Sequence, residues 1–145
     1  MKKKRLFGLM LLASVSLTGC LSGNDADEEA AGVDVDLTEL SSTMVYSEVY
    51  DMMFEPEKYL GKTVRMEGMF AYYYSEAKDT YYYACIIQDA TACCAQGLEF
   101  VLEGDYTFPD DYPEAGDDIT VTGVFDTYQD GDATYCTLVN ATMDA

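Results

Sequence analysis

The residues from 43 onward predict a mainly β domain: a small five-stranded barrel with a short helix ahead of it. Three observations predict it. Runs rich in Val, Ile, Thr, Tyr and Phe recur between clusters of turn residues, the composition of strands. Lys78-Asp79 and Asp130-Gly131-Asp132 interrupt those runs where hairpins would turn. A unit beginning at Gly61 returns at Gly116 with a glycine in mid-run, where a barrel strand would bend.

The chain opens Met1-Lys2-Lys3-Lys4-Arg5, a cationic start without an acid. The apolar run over 6–17 is about half the roughly 20 residues that a helix needs to cross a bilayer. That length and those flanks fit a secretory signal over 1–19. The run ends in Leu17-Thr18-Gly19-Cys20, which resembles the lipobox of bacterial lipoproteins. The resemblance implies cleavage before Cys20 and lipid on its thiol, hence a protein of the cell envelope, held to a membrane and exposed outside the cytoplasm. Several acyl chains on one residue anchor firmly where a single chain is marginal.

Residues 1–19 hold four of the eight basic residues and none of the 27 acids, so a chain starting at Cys20 carries a formal −23. Such a surface repels phosphate backbones and anionic headgroups, which excludes nucleic acid as a partner. It suits solubility, cations or a basic partner. The chain has no histidine, which removes His-based triads, His acid–base chemistry and His metal ligands together.

Residues 20–42 are polar and acidic and read as an extended linker, with Val33-Asp34-Val35-Asp36 too short and isolated to count as a strand. The domain then spans 43–145. Ser47 is placed to cap a short helix with Val49, Met52 and Met53 on one apolar face, ended by Pro56. Strands follow over 63–74, 80–88, 97–102, 118–128 and 133–140. The connection over 104–118 holds Pro109, Pro113 and Gly116 and has no room for a long helix.

The repeated unit sharpens this. Gly61-Lys62-Thr63-Val64-Arg65-Met66-Glu67-Gly68-Met69-Phe70 aligns with Gly116-Asp117-Asp118-Ile119-Thr120-Val121-Thr122-Gly123-Val124-Phe125, and Tyr73 and Tyr128 continue the match. Five strands, two of them bent at a mid-strand glycine, resemble an OB-fold, a five-stranded Greek-key barrel. That resemblance implies that the first and fourth strands carry the bends, and the helix before the first is placed to plug one barrel end.

Tyr72-Tyr73-Tyr74 and Tyr81-Tyr82-Tyr83 fall on the two arms of one hairpin. Tyr72, Tyr74, Tyr81 and Tyr83 are the candidates for a ligand platform; cross-strand packing that only stabilises the hairpin is the other reading. Cys85, Cys93, Cys94 and Cys136 remain after Cys20. In an exported chain an even count favours disulfides, with Cys93 and Cys94 bonded to Cys85 and Cys136. Buried free thiols are the second reading and a tetrahedral zinc site the third. Asp110-Asp111 and Asp117-Asp118 lack the ordered spacing of a calcium loop and read as solvated acids.

The stretch from Cys85 through Cys93-Cys94 to Phe100 resembles a segment of bacterial lipoproteins with a C-terminal OB-fold-like domain. It is more distantly similar to exported domains of accessory proteins to a small permease family. The function expected is a non-enzymatic binding or interaction module taking a protein or small ligand. Metal capture or delivery through Cys85, Cys93, Cys94 and Cys136, beside a transporter, is the alternative, and thiol-based catalysis is the weakest reading.

Overall fold

The structure, a computed structural model, describes residues 32–145. In chain order it has β1 (Val35–Asp36), α1 (Ser42–Phe54), a 3-10 turn (Pro56–Lys58), β2 (Thr63–Ser75), β3 (Thr80–Gln88), β4 (Ala95–Leu102), β5 (Asp118–Asp130) and β6 (Ala133–Asp144). The signal expected over 1–19, the expected lipidation site Cys20 and most of the acidic stretch lie outside the described residues. No described helix is long and apolar enough to cross a membrane.

The sheet runs β1-β2-β3-β4-β6-β5, and β2 pairs again with β5, so the five strands β2 to β6 close into a ring. Within the ring only β4 and β6 are parallel. This is the five-stranded OB-fold-like Greek-key order predicted above. Alternation directs Val64, Met66 and Phe70 of β2 inward, with Cys85 and Ile87, Leu98 and Phe100, Ile119, Val121 and Phe125, and Leu138 from the other strands. α1 packs across one barrel end against β3, β4 and β6, with Val49 and Met52 fully buried.

The repeat explains the closure. β2 pairs with β5 through 63–69 and with β3 through 69–75, so Gly68 lies where the strand changes partner. Met66 faces Val121, its own counterpart in the repeat. Val64 faces Gly123, and Gly68 faces Ile119, the reciprocal pair. The backbone obeys the same local two-fold relation. Gly61 N–H donates to Phe125 C=O at 2.9 Å, and Gly116 N–H to Phe70 C=O at 2.8 Å. Phe125 N–H donates to Lys62 C=O at 2.9 Å, and Phe70 N–H to Asp117 C=O at 2.8 Å. Gly61 (φ +78°) and Gly116 (φ +98°) turn the chain into these bonds in a region that disfavours side chains.

Three boundaries differ from expectation. Part of the assigned linker over 20–42 belongs to the domain: β1 pairs in parallel with β2, and Leu37 is 1% exposed. Asp34 ties the approach down, its carboxylate accepting from Thr63 N–H at 2.8 Å. This strand is hidden from a local reading because its partner lies almost thirty residues away. The helix starts at Ser42, after Ser41, and not at Ser47, whose hydroxyl donates back to Thr43 C=O at 3.0 Å. Met53 is 39% exposed, off the buried face. β4 begins at Ala95 and β6 runs on to Asp144, beyond the turn-poor cores that marked them.

Tyr59 locks the helix to the barrel. Its ring meets Phe125 edge-on, and its hydroxyl lies 2.7 Å from a Glu48 carboxylate oxygen and 2.8 Å from one of Asp51. Burial, then those two carboxylates, hold its phenol well above the ordinary range.

Candidate functional site

The hairpin register pairs Tyr72 with Tyr83, Tyr73 with Tyr82 and Tyr74 with Tyr81. Tyr72, Tyr74, Tyr81 and Tyr83 share the parity of Phe70 and Cys85, so they continue the barrel's interior face past its rim. There they pack on one another and on the β4–β5 connection. Ring centroids are 4.2 Å apart for Tyr83 and Tyr112, 4.5 Å for Tyr81 and Phe108, and 4.7 Å for Tyr72 and Phe108. Burial, followed by the neighbouring Tyr83, pushes the Tyr112 phenol up to about 12. These four tyrosines build a roof over the core. Of these four candidates for a platform, Tyr72 also borders the outer cleft, and Tyr81 and Tyr83 line a hollow beside the roof.

The opposite parity forms a cleft on the outer surface. Tyr73 of β2 and Tyr82 of β3 make one wall, and the stacked pair Tyr128 and Tyr135 (5.4 Å, 17°) of the β5–β6 hairpin makes the other. Ala71, Ala84 and Ile86 give a small apolar floor, and the volume is about 430 Å³. Lys78 at the first hairpin tip pairs with Asp130 at the second, 2.5 Å apart, and joins the two arms across the cleft. Glu99 of β4 stands between the walls, and its Oε2 accepts from Tyr128 hydroxyl at 2.6 Å. To reach it the Tyr128 ring passes over β6, the strand between β4 and β5. Thr137, in register between Glu99 and Asp126, lies in that crease, 4% exposed and with its hydroxyl unpartnered. Burial, then the bond to Glu99, holds the Tyr128 phenol above its usual range.

Two further hollows lack this convergence. One, of about 340 Å³, lies between Leu37, Val45 and Gln88 beside α1. The other, of about 450 Å³, opens where β3–β4 pairing stops at Tyr83 and Phe100, and its aromatic lining is already packed into the roof. No protein-family model matches the chain, and no curated protein matches it. The candidate site therefore rests on geometry: aromatic walls, an apolar floor and one carboxylate at depth.

Sequence reading missed Tyr73, Tyr82, Tyr128, Tyr135 and Glu99 as a set. Counting by twos from Val64 and Met66 would have turned Tyr73 outward. Nothing local shows that a second hairpin folds over the same face.

The cysteines do not gather. All four described thiols are free, and among the described residues no group of three or more Cys, Asp or Glu is arranged to hold a metal. Strand parity turns Cys85 into the core, where burial, then Glu67, pushes its thiol up to about 12. Cys136 is half-buried, its thiol 3.9 Å from Met52 C=O under α1, and burial raises it too. Cys93 and Cys94 are exposed in the β3–β4 loop, where their N–H groups lie 2.8 and 3.4 Å from Asp89 Oδ1. These bonds, the Cys93 N–H foremost, hold the Asp89 carboxyl below its ordinary range. Reactivity needs the thiolate and access to it. Iodoacetamide at pH 8 is therefore expected to label Cys93 and Cys94 first, Cys136 slowly, and Cys85 only after denaturation, as read by peptide mass spectrometry. Labelling of Cys85 in the folded protein at the rate of Cys93 would contradict its place in the barrel interior.

Proposed function

We propose that the protein is a lipid-anchored, extracytoplasmic binding module that holds a small ligand in the cleft between its β2–β3 and β5–β6 hairpins, without catalysing a reaction. The anchor is inferred from the cationic start, the short apolar run and the lipobox-like Leu17-Thr18-Gly19-Cys20. The single observation that carries the binding reading is the convergence of Tyr73, Tyr82, Tyr128 and Tyr135 around Glu99 in about 430 Å³. That volume is in the range of small-molecule sites, which are mainly apolar and aromatic with a few placed polar groups.

Two physical arguments support it. On OB-folds, the face across the second and third barrel strands, flanked by two hairpin loops, is a common place for ligands. Here those strands are β3 and β4, and the flanking arms are the ones that Lys78 and Asp130 join. The charge of −19 over the whole chain disfavours the nucleic acids such a face often takes, because stacking sites for bases come with a cationic groove.

Two measurements test the reading. Cys20→Ala is expected to move the protein from the membrane fraction to the soluble one, and retention of the membrane fraction would remove the anchor. Small-molecule fragments added to the full chain in detergent are expected to shift the ring resonances of Tyr73, Tyr82 and Tyr135, leaving Tyr50 on α1 unmoved. Fragments that gather beside α1, or at the roof, would sink the cleft as the site.

A further inference from the structure

We infer that the ligand of this cleft is a small organic cation, a protonated amine or quaternary ammonium. The inference rests on the cleft being a binding site and adds its chemistry. It starts from the carboxylate. Glu99 is half-buried on the cleft surface. One of its oxygens accepts from Tyr128, and the other has no hydrogen-bond donor among the described residues. A carboxylate drawn into an aromatic surface is stabilised by a positive group brought beside it.

No described basic side chain is free to be that group. Lys78, the basic residue on the cleft, is held by Asp130 at 2.5 Å. Elsewhere Lys58 pairs with Asp51 and Glu55, Arg65 with Asp36, and Lys62 lies 5.1 Å over the Tyr59 ring. An anionic ligand in the cleft would therefore meet Glu99 and Asp130, with the one basic residue lining it, Lys78, already paired.

The walls supply the second half of the argument. Ring faces attract cations electrostatically, and several tyrosines around one point are the arrangement that holds alkylammonium groups. Tyr73 and Tyr82 stand on one side and the stacked Tyr128 and Tyr135 on the other, with Glu99 between. Ala71 and Ala84 leave room over the floor for methylene or methyl groups. The field of the acidic chain concentrates cations at its surface and speeds their arrival.

The experiment is calorimetric titration of the full chain in detergent with choline, putrescine, the blocked peptide acetyl-Gly-Lys-Gly-amide and neutral maltotriose. At least one of the cations is expected to bind, and maltotriose is not. Tight binding of putrescine assigns a protonated amine, tight binding of choline a quaternary ammonium, and preference for the peptide a lysine side chain. Glu99→Gln keeps the acceptor for Tyr128 and removes the charge, and it is expected to weaken the cation at least tenfold. Glu57→Gln removes the same charge from the 3-10 turn, outside the cleft, and is expected to leave affinity within twofold. Thermal unfolding of both variants confirms that they are folded. Equal losses in the two variants would reduce the effect to overall charge and overturn the inference. Binding of maltotriose without the cations would overturn the cation and leave the binding module standing. Silence from all three cations would overturn the inference, and, together with fragments that avoid the cleft, would remove the binding module as well.

Discussion

Gly97→Ala is expected to destabilise the barrel by about 3 kcal/mol or more, at the upper end of overpacking effects. A Cβ at Gly97 would lie 2.2 Å from Cys85 C=O and 2.9 Å from the Ile86 Cδ1. The carbonyl belongs to the paired strand and cannot rotate away as a side chain would. From the other side, a Cβ at Gly68 would lie 2.5 Å from Ile86 C=O. The backbone of β3 at Cys85–Ile86 is thus pressed between a glycine of β2 and a glycine of β4, which lets a five-stranded ring curve tightly. Domains of this size are stable by only about 5–15 kcal/mol, so this one methyl removes a large share. Urea unfolding followed by circular dichroism measures it. A loss below about 1 kcal/mol would mean that β3 and β4 are not this close.

Phe70→Ala is the second large effect, expected at about 3–5 kcal/mol. Phe70 is 1% exposed and joins the barrel core to the aromatic roof. Its ring centroid is 5.8 Å from Tyr112, 6.1 Å from Tyr83 and 6.4 Å from Phe100. Truncation leaves a cavity that three rings on three separate segments would have to fill together. Tyr73→Ala, three residues on and 67% exposed, is expected to cost within about 0.5 kcal/mol, as surface changes do. The same urea measurement on Tyr83→Ala separates the two parities, since Tyr83 contacts Phe70, Phe100, Phe108 and Tyr112. Were Tyr73→Ala to cost more than Tyr83→Ala, the roof and the cleft would have to be exchanged.

The contrast between Tyr73 and Tyr83 also marks where a sequence stops being readable. Strand alternation says that half of Tyr72-Tyr73-Tyr74 faces each way, and the inward positions Val64 and Met66 decide which half. What alternation cannot say is which face becomes a ligand surface. The interior face ran past the rim and was covered by Phe108 and Tyr112 from a connection with no regular structure. The outer face became concave because the β5–β6 hairpin leans over it and Tyr128 reaches Glu99. The cysteines show the same limit. The disulfide reading needed Cys93 and Cys94 to meet Cys85 and Cys136. Cys85 lies in the core, Cys136 faces inward under α1, and Cys93 and Cys94 are exposed in the β3–β4 loop.

By itself the sequence determined the five barrel strands, both hairpins, the helix at the barrel end and the paired Gly61 and Gly116 units. Each is written in short-range chemistry: β-branched and aromatic runs, turn residues, and glycine where a backbone must turn or another must come close. Only the tertiary structure decided that β1 joins the sheet, that Met66 and Val121 mark a local two-fold relation, and that Tyr73, Tyr82, Tyr128, Tyr135 and Glu99 share one cleft. Those depend on which distant segments meet, and that follows from closing the ring as a whole, since one register must satisfy the β2–β5 and β2–β3 pairings together.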